Sequence, residues 1–296
     1  NLVIYKILLS AILIFIGATH RRYLIKKLES TKQVYQLLVV EVIVMVLAIS
    51  VGAWLSTSAP PVPKVPRTID AAESIAGSPM LPPPNLKNML VTYVPDAAFI
   101  GILILITALY IRGVVILSKR GIKWPVGRTV AFALAVAATD FATSGGLGAY
   151  AHFAFSYHMV AHMVLGMIAP IGIVLGAPIT LALRTLPIGR NEQERGIRGS
   201  FIALLHSKLS KIYTHPVVAL AIFNGSLFAL YFTPLFGNLM QGHSGHFFMS
   251  IHFLLSGILF FQVLIGVDPM PRKVPHIVKM IIIFAAMSIH AFFSVA

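Results

Sequence analysis

Two histidines four residues apart, His158 and His162, stand in a long apolar run and share one face of any helix it forms. At that spacing both imidazoles can reach one ion. Met159, Met163 and Met167 run beside them as a stripe at the same helical spacing. In a later apolar segment Met249 lies three residues from both His246 and His252, and in the last one His290 follows Met287 by three. Imidazole and thioether together suit copper, with the thioether favouring Cu(I). The chain has no cysteine, so disulfides, redox thiols and thiolate ligands are excluded. Metal chemistry falls to His, Met, Asp or Glu.

Plainer readings compete. An intramembrane histidine can serve as an interhelical hydrogen-bonding group, and a methionine stripe in an apolar helix can be packing. Polar groups in a bilayer are costly, however, and default to functional hypotheses. A zincin needs Glu directly after the first histidine as general base, and Met159 occupies that place. A haem would need histidines from facing helices; His158 and His162 cannot clamp one together, whereas His162 with His252 or His290 could. The one acid placed to assist a histidine is Asp140, about 16 Å along a helix from Thr129 and so near the midplane. Hydrogen bonds to Thr139 or Thr143 are its alternative employment.

These residues are carried by a chain that reads as all-α and polytopic. Of its 296 residues 57% are hydrophobic and 11% charged, whereas a soluble domain is about a quarter charged. The mean hydropathy is +0.87. Eight apolar segments are long enough, or nearly so, to cross a bilayer: about 2–19, 36–56, 97–117, 129–147, 153–183, 216–233, 246–266 and 276–296. The fifth is too long for one straight span, and Pro170 and Pro178 predict a kink or a short re-entrant end. Residues 2–19 lack the basic region of a signal peptide and read as a mature span. Asn1 in place of an initiator Met, and Ala296 within an apolar run, read as cut ends.

Residues 57–95 hold half of the 18 prolines and read as an extended external linker. The expected domains are a two-helix piece at 1–56, this linker, and a six-helix domain at 96–296. No internal repeat is seen.

Charge sets the orientation. Most of the 23 Lys and Arg fall in 20–35, 118–128, 184–215 and 267–279, while the intervening loops hold only Lys64, Arg67 and Lys87, balanced by Asp70, Glu73 and Asp96. Alternate loops are thus basic, which makes them cytoplasmic. The net charge of +14 follows from this asymmetry, and no nucleic acid need be invoked. On that frame His20, His206, His215 and His276 lie on the inner side. His152, His158, His162, His243, His246, His252 and His290 lie in outer loops or outer halves of helices. His252 sits about 9 Å inside the outer edge, and His290 about 18 Å up a helix from the inner side.

Several ordered motifs resemble the CtaG family of bacterial cytochrome c oxidase assembly factors, the polytopic family and not the single-span copper chaperone that shares the name. They are Ala108-Leu109-Tyr110-Ile111-Arg112-Gly113, Gly121-Ile122-Lys123-Trp124-Pro125, the stretch from His158 to Arg184, Tyr231-Phe232-Thr233-Pro234-Leu235, Gly266-Val267-Asp268-Pro269 and His290-Ala291-Phe292-Phe293. The chain departs from the pattern at Gln262 and Ser294, neither a ligand type. Residues 21–61 are similar to the end of a CopD-type copper-resistance domain, and a CopD–CtaG fusion is an actinobacterial arrangement. The resemblance implies a factor that matures the copper centres of a haem–copper oxidase at the outer face, with family histidines mapping onto His158, His162, His246, His252 and His290.

The expectation is therefore a non-enzymatic factor of the bacterial plasma membrane, embedded in the lipid bilayer. It would bind or deliver copper through His158, His162, His246, His252, His290, Met159, Met163 and Met249, with Asp140 in support. Its partners would be cytochrome c oxidase subunits, within a respiratory supercomplex as one setting. A metal-free accessory subunit, a haem-binding electron carrier and a copper transporter are the alternatives.

Overall fold

The computed structural model describes residues 79–188, 196–240, 243–272 and 274–295, together with the isolated residues 8, 11, 15, 39, 42, 43 and 46. The chain divides into two units, Asn1–Ile69 and Asp70–Ala296. The expected two-helix piece and most of the expected linker lie outside the described residues. The second unit carries the candidate site.

Among the described residues the secondary structure is helical, without strands. A short helix α1 (Leu86–Val91) is followed by α2 (Ala97–Lys119), α3 (Val126–Thr143) and α4 (Gly146–Ala151). Next comes one interrupted helix: α5 (Phe155–Met163), a π-helical segment (Val164–Ile168), α6 (Ala169–Leu175) and α7 (Pro178–Thr185). Two short helices, α8 (Gly196–Leu205) and α9 (Lys208–Tyr213), lead to α10 (Pro216–Tyr231), α11 (Leu235–Met240), α12 (His243–Ile265) and α13 (His276–Val295).

Five stretches are long and apolar enough to cross a membrane: Ala97–Lys119, Val126–Ala151, Phe155–Thr185, Ser244–Ile265 and His276–Val295. The chain is thus a multi-pass helical membrane protein. The expected count of about eight is not reached among the described residues. Apart from those isolated residues the first two segments fall outside them, and the sixth is only the shorter apolar helix α10. Pro216 starts α10, and Thr233-Pro234 beyond its end cannot continue it.

The interruptions in the fifth segment follow from its sequence. Pro170 has no N–H to give the carbonyl of Gly166, and the chain widens just above it so that the Ala169 N–H reaches the Val164 carbonyl five residues back. Below, Pro178 disfavours the right-handed helical conformation at Ala177, which takes φ 50° and breaks the helix. Tyr110 Oη donates to the Gly176 carbonyl exposed at that break (2.9 Å), and Trp124 Nε1 donates to Tyr110 Oη (3.1 Å). The new start, α7, is capped by Asp268, whose carboxylate accepts from Ile179 N (3.1 Å), Thr180 N (2.7 Å) and Thr180 Oγ1 (2.5 Å).

Close approach of small residues sets the helix packing, as expected where lipid removes the hydrophobic drive between helices. A Cβ on Gly257 of α12 would stand 2.1 Å from the Gly166 carbonyl oxygen, the same carbonyl that Pro170 leaves short of a donor. A Cβ on Gly172 would meet the Ala131 carbonyl of α3 at 2.7 Å. The interrupted helix is therefore held between α3 and α12, with α10 beyond α12 and α13 against α10.

One end of the bundle is closed by α1 and α4. Asn85 caps α1 and Asp96 caps α2. Gly146 touches the backbone of Met89 so closely that a Cβ would collide with its carbonyl, and Tyr150 Oη donates to the Pro82 carbonyl (2.8 Å). Residues 79–95, the last part of the expected linker, thus pack on the helical domain.

Candidate metal centre

The site is built from the first two turns of α5 and the first turn of α12. His158 and His162 lie one turn apart on α5, with ring centroids 4.2 Å apart. His246, in the first turn of α12, brings its ring centroid to 5.4 Å from His158 and 6.2 Å from His162. Each ring offers a ligating nitrogen, and the three lie within 4.8 Å of one another. The approach of α12 to the π segment at Gly257 is what brings His246 this near. The face of α12 that carries Gly257 also carries Phe253, Ser250, Met249 and His246, spaced by three or four residues.

Burial gives the cluster its chemical character. His158 and His162 are each 1% exposed, and His246 is half-buried. Both ring nitrogens of His158 and Nε2 of His162 are buried with no hydrogen-bond partner. The second nitrogen of His162, Nδ1, lies 2.8 Å from Tyr231 Oη at the end of α10. Phe253 packs its ring 4.4 Å from that of His162, and Phe236 of α11 lies 5.4 Å from His158. Unpartnered buried nitrogens cost about 1–3 kcal/mol each, so three of them on two histidines one turn apart need a compensating role.

The donors fit a metal ion. Metal–nitrogen bonds of about 2.0 Å place ligand nitrogens about 3.3–3.5 Å apart, which small side-chain rotations reach from the observed spread. Three neutral imidazoles suit copper or zinc. Met249 is buried in the apolar cluster beside the histidines, with Ala161, Leu165 and Phe253, and Met163 packs against the same cluster. Met159 is half-buried one residue after His158.

The structure separates the other expected residues from this centre. His252 is exposed on a different face of α12: six residues turn a helix by about 240° from His246. His290 packs against Phe223 of α10 (centroids 5.4 Å), and its Nδ1 donates to the Ala286 carbonyl (3.1 Å). The ring neighbours of His162 are His158, Tyr231, His246 and Phe253. Asp140 lies in the last turn of α3, just before the break at Ser144-Gly145. Its carboxylate accepts from Tyr93 Oη (3.1 Å). Thr143 Oγ1 donates to the Thr139 carbonyl (2.9 Å) and Thr139 Oγ1 to that of Ala135 (2.8 Å), so neither alternative partner of the Asp140 carboxylate holds it.

Two residues outside the expected set stand beside the three histidines. Tyr231 appears in the sequence only as part of a motif, and its role depends on the end of α10 meeting α5. His152 lies in the turn between α4 and α5 and places its ring 5.0 Å from that of His246.

Fold and site together define a multi-pass helical membrane protein with a buried imidazole cluster at one end of the bundle. The family described as cytochrome c oxidase caa3 assembly factor (Caa3_CtaG) matches residues 108–296, and the chain belongs to it. Over 214 residues, 72% of this chain, it is 40% identical to uncharacterised proteins of Mycobacterium bovis, Mycobacterium tuberculosis and Mycobacterium leprae. That match covers 32% of each of those proteins, so the chain spans about a third of the length of the curated relatives it matches. No solved structure matches.

Proposed function

We propose that the protein is a non-enzymatic assembly factor of a bacterial plasma membrane that binds copper through His158, His162 and His246 and supports maturation of a cytochrome c oxidase. The observation that carries the reading is the set of three buried, unpartnered nitrogens on His158 and His162 within reach of a third imidazole. Family membership supports the oxidase as the partner. The metal is copper rather than zinc on two grounds: the buried and adjacent thioethers, and the copper centres that such an oxidase contains.

The side of the membrane follows from charge. His158 and His246 stand in the first turns of spans whose far ends lead into the basic stretches around Arg184–Arg198 and Arg272-Lys273. Under the positive-inside rule those far ends are cytoplasmic and the histidines face outward.

The test is metal analysis of the full-length protein purified in detergent or nanodiscs. The wild type is expected to carry near-stoichiometric copper and a His158→Ala, His162→Ala double variant to lose it. A metal-free wild type, or zinc in place of copper, overturns the metal assignment. Co-purification of oxidase subunits tests the partner separately, and full oxidase assembly with the double variant overturns the link between site and assembly.

A further inference from the structure

Two of the three histidines of the centre are buried, so an ion needs a way in. His152 stands where that way would begin. It is exposed, in the turn after α4, whereas His246 is half-buried and His158 and His162 are fully buried. Ring centroids run 5.0 Å from His152 to His246, 5.4 Å from His246 to His158 and 4.2 Å from His158 to His162. Exposure falls from His152 through His246 to the buried pair. The four imidazoles form a ladder from the surface into the helix bundle.

The chemistry of His152 suits a first ligand. Its Nδ1 lies 2.9 Å from the Gly148 carbonyl, which can only accept, so Nδ1 carries a proton and donates. The neutral ring then keeps its lone pair on Nε2, the form in which histidine binds metals. The same hydrogen bond ties the ring back to α4. In turn α4 is anchored to α1 through Gly146, so the ring is positioned by folded backbone.

We infer that His152 is the entry ligand of the site: it receives copper at the outer surface and passes it, by way of His246, to His158 and His162. The inference rests on the copper reading above. The step is ligand exchange without redox change. A bond from Cu(I) to an external ligand breaks as one to His152 Nε2 forms; that bond breaks in turn as the ion gains His246 and then the buried pair. The lone pairs belong to the imidazoles throughout, and the external ligand leaves with its own.

The test follows uptake of Cu(I) from a chromogenic chelator by the full-length protein in nanodiscs. His152→Ala is expected to slow uptake about tenfold while reaching the same final copper content as wild type. His152→Met, which offers a thioether at the same place, is expected to restore the rate. A wild-type rate in His152→Ala overturns the entry role, as does a His152→Met variant as slow as the alanine. Lower final copper in His152→Ala also overturns it, because His152 would then be a resident ligand. Failure of the wild type to take copper at all overturns the underlying site, and is told apart from these outcomes by the wild type alone.

Discussion

Nδ1 of His162 lies 2.8 Å from Tyr231 Oη, which joins the second turn of α5 to the last residue of α10. When Nε2 holds an ion, Nδ1 must carry the proton and donate to the tyrosine oxygen. Tyr231 then fixes both tautomer and ring orientation. A Tyr231→Phe variant is expected to fold and to bind copper about 10- to 100-fold more weakly. Competition with a chelator of known affinity measures this, and an unchanged affinity would reduce Tyr231 to packing.

Single replacements at His252 and His290 separate the centre from the wider histidine set. His252 is exposed on another face of α12, and His290 is committed to the Ala286 carbonyl beside Phe223. Copper content of His252→Ala and His290→Ala is expected to match wild type. Loss of copper in either would mean that the ligand set reaches beyond the three imidazoles.

The seam between α12 and the π segment supplies a test of positioning. A methyl group on Gly257 has the Gly166 carbonyl in its way, whereas one on Gly101 meets nothing within 4 Å. Gly257→Ala is expected to cost about 1–3 kcal/mol and to lower copper retention by displacing His246. Gly101→Ala, in an open helix interior, should be neutral or stabilising by up to about 1 kcal/mol. Thermal unfolding in detergent with copper analysis on the same samples compares the two.

At the other end of the bundle, Asp268 accepts the first donors of α7 while 4% exposed. Asp268→Ala strands those donors and is expected to destabilise the protein by about 1–3 kcal/mol. Copper binding should persist, because the site is built at the opposite end of the interrupted helix. A selective loss of copper with unchanged melting would contradict this division of labour.

The helical class, the long spans and the pair His158/His162 were legible because hydropathy and a four-residue spacing are local properties of the chain. His246 was legible from its depth. His252 was grouped with it because depth along a helix ignores rotation, and six residues carry a side chain to another face. His290 was misplaced for a related reason: the sequence does not say which neighbour α13 meets. The partner of Asp140, Tyr93, was not legible because it comes from a segment read as a linker. Tyr231 depends on a contact between distant elements, and His152 on a turn whose path no periodicity encodes.

The π segment has a consequence for how such a protein could tolerate change. Its wider turn accommodates one more residue than an α-helix would between Met163 and Pro170. Deleting one residue from 164–168 would remove that extra residue and restore regular pitch while leaving the helix on either side nearly in register. The same deletion within the regular turns of α6 has no wide turn to absorb it and would swing the imidazole pair by about 100° relative to Pro178. The π segment is thus a place beside the imidazole pair where the chain can shorten by one residue without re-aiming the ligands.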